Sequence, residues 1–182
     1  PVQLHDVNGG GLLNRVDTKF ILAEESLDRL LAELVEGYRV LEVGGMRQSH
    51  YQTQYFDTHD LSFYNDHHRG KTRRLKVRFR TYAANGLTYF EVKQKDPKGR
   101  TRKKRLEVPK RTPELSNIHL SFLEEVIGKT LALTPSLESG FERITLIDLS
   151  GEERVTIDTQ LSFNHQRAFS GNPRHLAIIE IK

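Results

Sequence analysis

Hydrophobic and charged positions alternate along much of this chain, which is the period of a β-strand whose two faces meet different surroundings. Over residues 73–80, Leu75, Val77 and Phe79 share one parity, while Arg74, Lys76, Arg78 and Arg80 share the other. The same two-faced pattern predicts a strand over residues 12–22, where Val16, Phe20 and Leu22 oppose Arg15, Asp17 and Lys19. Further strands are predicted over 40–43, 48–56, 87–95, 100–108, 140–147, 153–158 and 174–182. Gly44-Gly45, Asn85-Gly86 and Asp96-Pro97-Lys98-Gly99 supply turns between them. Two segments have helical spacing instead. Leu27, Leu30, Leu31, Leu34 and Val35 follow Ser26 as an N-cap and stop at Gly37, and Leu120, Leu123 and Ile127 form the seam of a helix over 119–127 closed by Gly128. A short helical turn is expected over 61–64, solvated loops over 67–71 and 109–117, and a connection at Thr134-Pro135.

These elements predict an α+β domain with about eight mostly antiparallel strands. No internal repeat or linker divides residues 14–182, and residues 1–13, with the glycine run Gly9-Gly10-Gly11, form a flexible lead-in. The last strand reaches the end of the sequence, so a further piece of the native protein is expected beyond Lys182. Strands with one charged face each cannot turn that face into an apolar core. Closing the sheet into an antiparallel β-barrel resolves this, with a polar channel inside and helices packed on the apolar outside.

Charge sharpens that expectation. The net charge is only +4, yet residues 69–111 hold 17 of the 28 Lys and Arg with only Glu91, Asp96 and Glu107 as acids; this segment carries +14 and the remainder −10. Such segregation points to a polyanionic ligand. With no cysteine, disulfides, thiolate chemistry and Cys-type zinc sites are excluded. No run of 18 apolar residues and no secretory pattern occurs, so a cytoplasmic protein without a membrane segment is expected. His67 and His68, as sequence neighbours, make a poor chelate.

The charged parity collects Arg15, Lys19, Lys76, Arg78, Arg80, Lys93, Lys103, Arg105, Arg143, Arg154 and Lys182, with Asp17, Glu91, Glu107, Asp158 and Glu180 among them. Guanidinium forks grip phosphate oxygens in pairs and ammonium groups add point charge. Carboxylates among the cations oppose a purely nucleic-acid groove but suit a phosphate chain that carries Mg²⁺ or Mn²⁺, with Glu180 and Glu91 as the metal candidates. No glycine-rich phosphate loop or metalloprotease motif occurs, so side chains would hold the phosphates. The sequence also lacks a dense aromatic platform for stacking bases, so specific nucleic-acid binding is not expected.

Arg15-x-Asp17-x-Lys19-Phe20, Tyr55-Phe-Asp-Thr, Lys76-Val-Arg78-Phe-Arg80-x-Tyr82, Phe90-Glu-Val-Lys93, Phe141-x-Arg143, Arg154-x-Thr156-x-Asp158 and Glu180-Ile-Lys182 together resemble the VTC domain. This is the catalytic module of the vacuolar transporter chaperone complex, a branch of the CYTH-like triphosphate tunnel metalloenzymes. The resemblance implies the triphosphate tunnel fold and transfer of the γ-phosphate of ATP, or of another nucleoside triphosphate, to inorganic polyphosphate with Mn²⁺ or Mg²⁺. It implies phosphate-binding roles for Lys19, Arg78, Arg80, Lys93, Arg143 and Arg154, the last five of these acting in catalysis, and a metal role for Glu180. Lys76, Lys103, Arg105 and Lys182 join the phosphate-binding set on parity. Arg15-Val-Asp17-Thr-Lys19 stands where the CYTH pattern has Glu-x-Glu-x-Lys, which weakens a cyclase or thiamine triphosphatase reading. A tunnel triphosphatase hydrolysing nucleoside triphosphate or inorganic triphosphate and a non-catalytic polyphosphate-binding module remain the alternatives, with a nucleic-acid-binding domain behind them; inorganic polyphosphate, triphosphate or pyrophosphate is the expected ligand.

Overall fold

The computed structural model describes residues 1–3, 17–165 and 170–182, and Arg15, with most of the lead-in and the first part of the strand expected over 12–22, lies outside them. The described chain runs β1 (Val2–Gln3), β2 (Thr18–Ala23), α1 (Leu27–Leu34), β3 (Tyr38–Glu42), β4 (Gln48–Asp57), α2 (Ser62–His68), β5 (Arg74–Tyr82), β6 (Leu87–Lys95), β7 (Thr101–Val108), α3 (Asn117–Ile127), β8 (Thr134–Asp148), β9 (Arg154–His165), β10 (Ser170–Gly171) and β11 (Leu176–Ile181). One sheet carries all the strands, in the order β2-β11-β9-β8-β4-β5-β6-β7, with β1, β3 and β10 attached at its side. Every pairing is antiparallel except β1 with β3, where Val2 and Gln3 pair with Leu41 and Glu42. That pairing places the start of the expected lead-in in a strand.

The sheet is apolar outside and charged inside. Phe56, Val77, Phe79, Phe90 and Val92 pack as one buried cluster beneath Leu123 of α3, and Leu146, Val155, Ile157, Ala177 and Ile179 form a second beneath Leu27, Leu30, Leu31 and Leu34 of α1. These are the parities opposite the cations, so the helices cover the outer face as expected.

The path ends at β2 and β7, and among the described residues these two strands do not pair with each other. The barrel therefore curls without closing through backbone hydrogen bonds. His67 at the end of α2 is pushed down from its ordinary pKa by burial and then by the cations Lys76 and Arg74 of β5, Lys19 of β2 and Lys95 of β6.

Several local expectations change. Ser26 has helical backbone angles and no capping hydrogen bond, because a 3-10 turn over Glu24–Ser26 leads directly into α1. The turn expected over 61–64 is a helix that reaches His68, so the two histidines are helical rather than in a loop. Its start is tied down by Asp57, whose carboxylate accepts from the backbone N–H of Thr58, Phe63 and Tyr64. Pro135 does not break the chain but sits at the second position of β8, where the register with β4 shifts between Tyr55 and Phe56 and a ladder donor is dispensable. Ser116 and His119 form a reciprocal cap on α3, with the His119 ring buried edge-on against Phe79.

Candidate functional site

Strand register decides which cations meet. Across β5, β6 and β7, Lys76, Lys93 and Lys103 stand in line; the next row along is Arg78, Glu91 and Arg105, and the one beyond it Arg80, Tyr89 and Glu107. On the other wall Lys19, Glu180 and Thr156 form one row, and Asp158 faces Arg143. β4 joins the two walls and presents Tyr51, Thr53 and Tyr55 to the same interior, with Thr53 opposite Arg80 and Tyr55 opposite Arg78.

Two sets of these groups are engaged with one another inside the protein, one around Glu91 and one between Arg143 and Asp158. Glu91 is completely buried; one oxygen accepts from Arg78 Nε and Nη2 at 2.9 and 2.7 Å, and the other pairs with Lys103. Burial alone would raise its pKa, but Arg78 and Lys103 outweigh that and hold the carboxyl at about 2. Both oxygens of this sequence-predicted metal candidate are thus occupied by cations. Arg143 is fixed by Asp158 through a two-point contact at 2.5 and 2.6 Å. Burial would lower Arg143, and the Asp158 carboxylate raises it instead.

Glu180 differs in its setting. Its oxygens pair with Lys19 Nζ at 2.9 Å and with Lys182, and these lysines bring it down to about 2 against the opposing effect of burial. Lys19 stays 63% exposed, so that bond lies at the open edge of the wall. Directly across the ladder, the Thr156 hydroxyl is buried and has no hydrogen-bond partner among the described residues. The described residues contain no group of three or more His, Asp or Glu side chains that could hold a metal alone. Both oxygens of Glu180 are held by lysines, as those of Glu91 are held by Arg78 and Lys103. Lys19, however, is exposed and free to swing away, so the Glu180 carboxylate beside the unpartnered Thr156 hydroxyl is the donor set that would fit a hard divalent ion.

Arg80, Lys93 and Arg154 are the under-compensated cations. Arg80 donates to Thr53 Oγ1 at 3.2 Å and makes no ion pair among the described residues; burial and then Arg78 push it down. Lys93 likewise has no ion pair there, and burial, followed by Arg78, Arg80 and Lys103 against the pull of Glu91, brings it to about 7. Arg154 Nε is buried without a partner among the described residues. An uncompensated cation removed from water is unfavourable by several kcal/mol, roughly. Three on one face give it an excess of positive charge.

The parity argument did not single out the aromatic floor between these cations. Tyr51 and Phe141 stack at 5.2 Å with an 8° interplanar angle, Arg143 sits 5.2 and 5.0 Å from the two ring centres, and Arg80 sits 5.8 and 5.9 Å from them. Stacking on aromatic faces holds guanidinium groups without neutralising them. The sequence signal was available, since Tyr51, Thr53 and Tyr55 alternate along β4 just as the cations do along β5. Tyr55 also receives a hydrogen bond from Arg78 Nη1 at 3.3 Å, and Arg78 and Arg80 lower its hydroxyl despite burial. At the rim, Arg105 lies 4.5 Å from the Tyr89 ring centre and is exposed, as Lys76 and Lys103 are.

Known proteins agree with this architecture. No curated protein sequence matches the chain significantly. Among solved structures, a candidate adenylate cyclase from Bacillus halodurans superposes with a TM-score of 0.51 at 14% identity, covering 91% of this chain and 78% of that one. A candidate adenylyl cyclase from Hippeastrum, described as having a dominant triphosphatase activity, reaches a TM-score of 0.46 at 12% identity over 90% of this chain and 78% of its own. The first likeness shows a shared fold: an α+β, antiparallel tunnel architecture. No described helix is long and apolar enough to cross a membrane. The VTC domain profile matches residues 14–182, nearly the whole chain, and the chain belongs to the VTC domain family.

Proposed function

We propose that the channel binds a triphosphate or polyphosphate chain and transfers the γ-phosphate of ATP to a growing inorganic polyphosphate. The observation that carries this reading is the trio Arg80, Lys93 and Arg154, cations on the inner face without a carboxylate partner among the described residues. In the reaction, a terminal oxygen of the acceptor phosphate bonds to Pγ as the bond from Pγ to the β-phosphate bridging oxygen breaks, which releases ADP and lengthens the chain by one phosphate. Such transfers depend chiefly on positioning and charge stabilisation, which fixed cations together with a divalent ion can supply. Arg80 and Arg143, held by the Tyr51–Phe141 stack, would grip phosphate oxygens; Lys93, Arg78 and Arg154 would offset the charge on the transferring group. Lys19, Lys76, Lys103, Arg105 and Lys182 would track the rest of the chain. Glu180 would hold a Mn²⁺ or Mg²⁺ ion, which when bound would offset the negative charge of the phosphates.

Incubation with ATP and Mn²⁺ tests the reaction, with the products resolved on a gel. A ladder of lengthening chains is expected, and Glu180→Gln should bind ATP yet make no ladder. Orthophosphate alone would replace the polymerase with a tunnel triphosphatase, while tight binding without turnover in either protein would make the domain a binder.

The Lys93 ammonium gives the site a pH signature. Lys93 titrates near 7 in the unliganded protein, where it faces Arg78, Arg80, Lys76, Lys103 and Glu91. A bound phosphate chain favours its charged form, so binding takes up a proton above pH 7. Affinity for a long phosphate chain should fall as pH rises from 7 to 9, by up to about 10-fold per unit. Calorimetry in buffers of different ionisation enthalpy reads the proton uptake directly. Lys93→Met should remove both the uptake and the slope, and retention of either would assign them elsewhere.

A further inference from the structure

β7 is the last strand of the sheet, and its cations point both ways. Lys103 and Arg105 belong to the channel face, whereas Arg102 and Lys104 occupy the opposite parity, across the ladder from Gln94 and Val92 of β6. All four side chains are exposed, as are Lys98 and Arg100 at the hairpin turn. Lys103 is paired with Glu91 and Arg105 covers Tyr89, but Lys98, Arg100, Arg102 and Lys104 form no ion pair among the described residues. Asp96, the acid of the hairpin turn, is occupied in accepting the backbone N–H of Arg100. Nothing apolar explains these outer cations, since the Val92 and Leu106 side chains on that parity turn into the core beneath α3. Like charges this close on an edge strand repel one another unless an anion lies across them.

We infer that the outer face of the β6–β7 hairpin is a second phosphate subsite, over which a linear inorganic phosphate chain passes after leaving the channel at its β7 rim. The inference rests on the channel reading above, and it identifies long chains rather than triphosphate as the preferred ligand. Continuity decides the occupant: Lys103 and Arg105 on one side of a single strand, and Arg102 and Lys104 on the other, form an uninterrupted cationic path around an edge that no described strand covers. A phosphate chain is thin and flexible enough to turn around such an edge. No exposed aromatic ring lies on the outer parity of β7 to stack a base, which disfavours nucleic acid there.

The test compares tripolyphosphate with polyphosphate of about 60 units, titrated by calorimetry against the unaltered protein, an Arg102→Gln/Lys104→Gln variant and a charge-matched Arg29→Gln/Lys129→Gln control. Both substituted pairs are exposed, so each protein should keep its fold. Long-chain affinity should fall about 5- to 10-fold in the β7 variant, with the slope of log affinity against log salt flatter by about 1.4, as expected for two lost phosphate contacts. Tripolyphosphate affinity should stay within about twofold, and the control should match the unaltered protein on both ligands. Equal losses for both ligands, or an equal loss in the control, would reduce the patch to a general field effect and overturn the subsite. A loss for single-stranded DNA but not for polyphosphate would overturn it in favour of nucleic acid. Failure of the unaltered protein to bind tripolyphosphate at all is a different result, and it removes the channel reading itself.

Discussion

Replacing Glu91 with Gln should destabilise the domain by about 3 to 5 kcal/mol, because Arg78 would remain buried and Lys103 in place with their shared counter-charge removed. Arg78 is only 5% exposed and Glu91 0%, so water cannot compensate. Urea denaturation at pH 7 measures the loss, and the pH dependence identifies its source. The folded-state carboxyl titrates at about 2, below its ordinary 4.5, so its stabilisation is fully present above 4.5 and disappears as pH falls toward 2. The gap between the two proteins should therefore close over that interval. A variant as stable as the parent, but with altered dependence on Mn²⁺, would make Glu91 a metal ligand and not the counter-ion its geometry describes.

Arg80→Met should have the opposite profile. Arg80 has no carboxylate partner among the described residues, so its removal relieves repulsion from Arg78 and leaves no orphaned acid. Stability should change by less than about 1 kcal/mol, or rise. Tripolyphosphate affinity should fall by about 100-fold, the consequence of losing one desolvated, charge-assisted contact worth roughly 2 to 3 kcal/mol. Calorimetric titration checks the affinity and thermal melting the stability. An unchanged affinity would mean that Arg80, beside Tyr51 and Phe141, does not bind phosphate.

The contrast between these two residues is a contrast in what the strand pattern can reveal. Arg78 and Arg80 look alike in sequence, two positions apart on the same parity. Both lie on the face opposite the buried Val77 and Phe79, because a period of two assigns a face wherever the opposite face must be apolar. Only the partners separate them: Glu91 of β6 lies opposite Arg78 and takes its charge, while Tyr89 lies opposite Arg80 and takes none. That difference depends on a register between strands, and register is not local information.

Local rules failed where tertiary contacts could replace them. Ser26 caps nothing because a preceding 3-10 turn carries the chain into α1, and the 62–68 helix outruns its predicted turn because Asp57 secures three backbone donors at its start. Pro135 reads as a break but occupies a register shift near the start of β8.

Alternation, helical periodicity and formal charge belong to each segment alone, so the two-faced strands, the leucine-rich helices and the concentration of cations between residues 69 and 111 are legible before the chain folds. Which cations are neutralised by Glu91, Asp158 and Glu180, and which are left without a carboxylate, was settled only when the strands paired. The physical reason is that ion pairing and desolvation depend on distances of a few ångströms between strands remote in sequence, which only pairing and curvature establish.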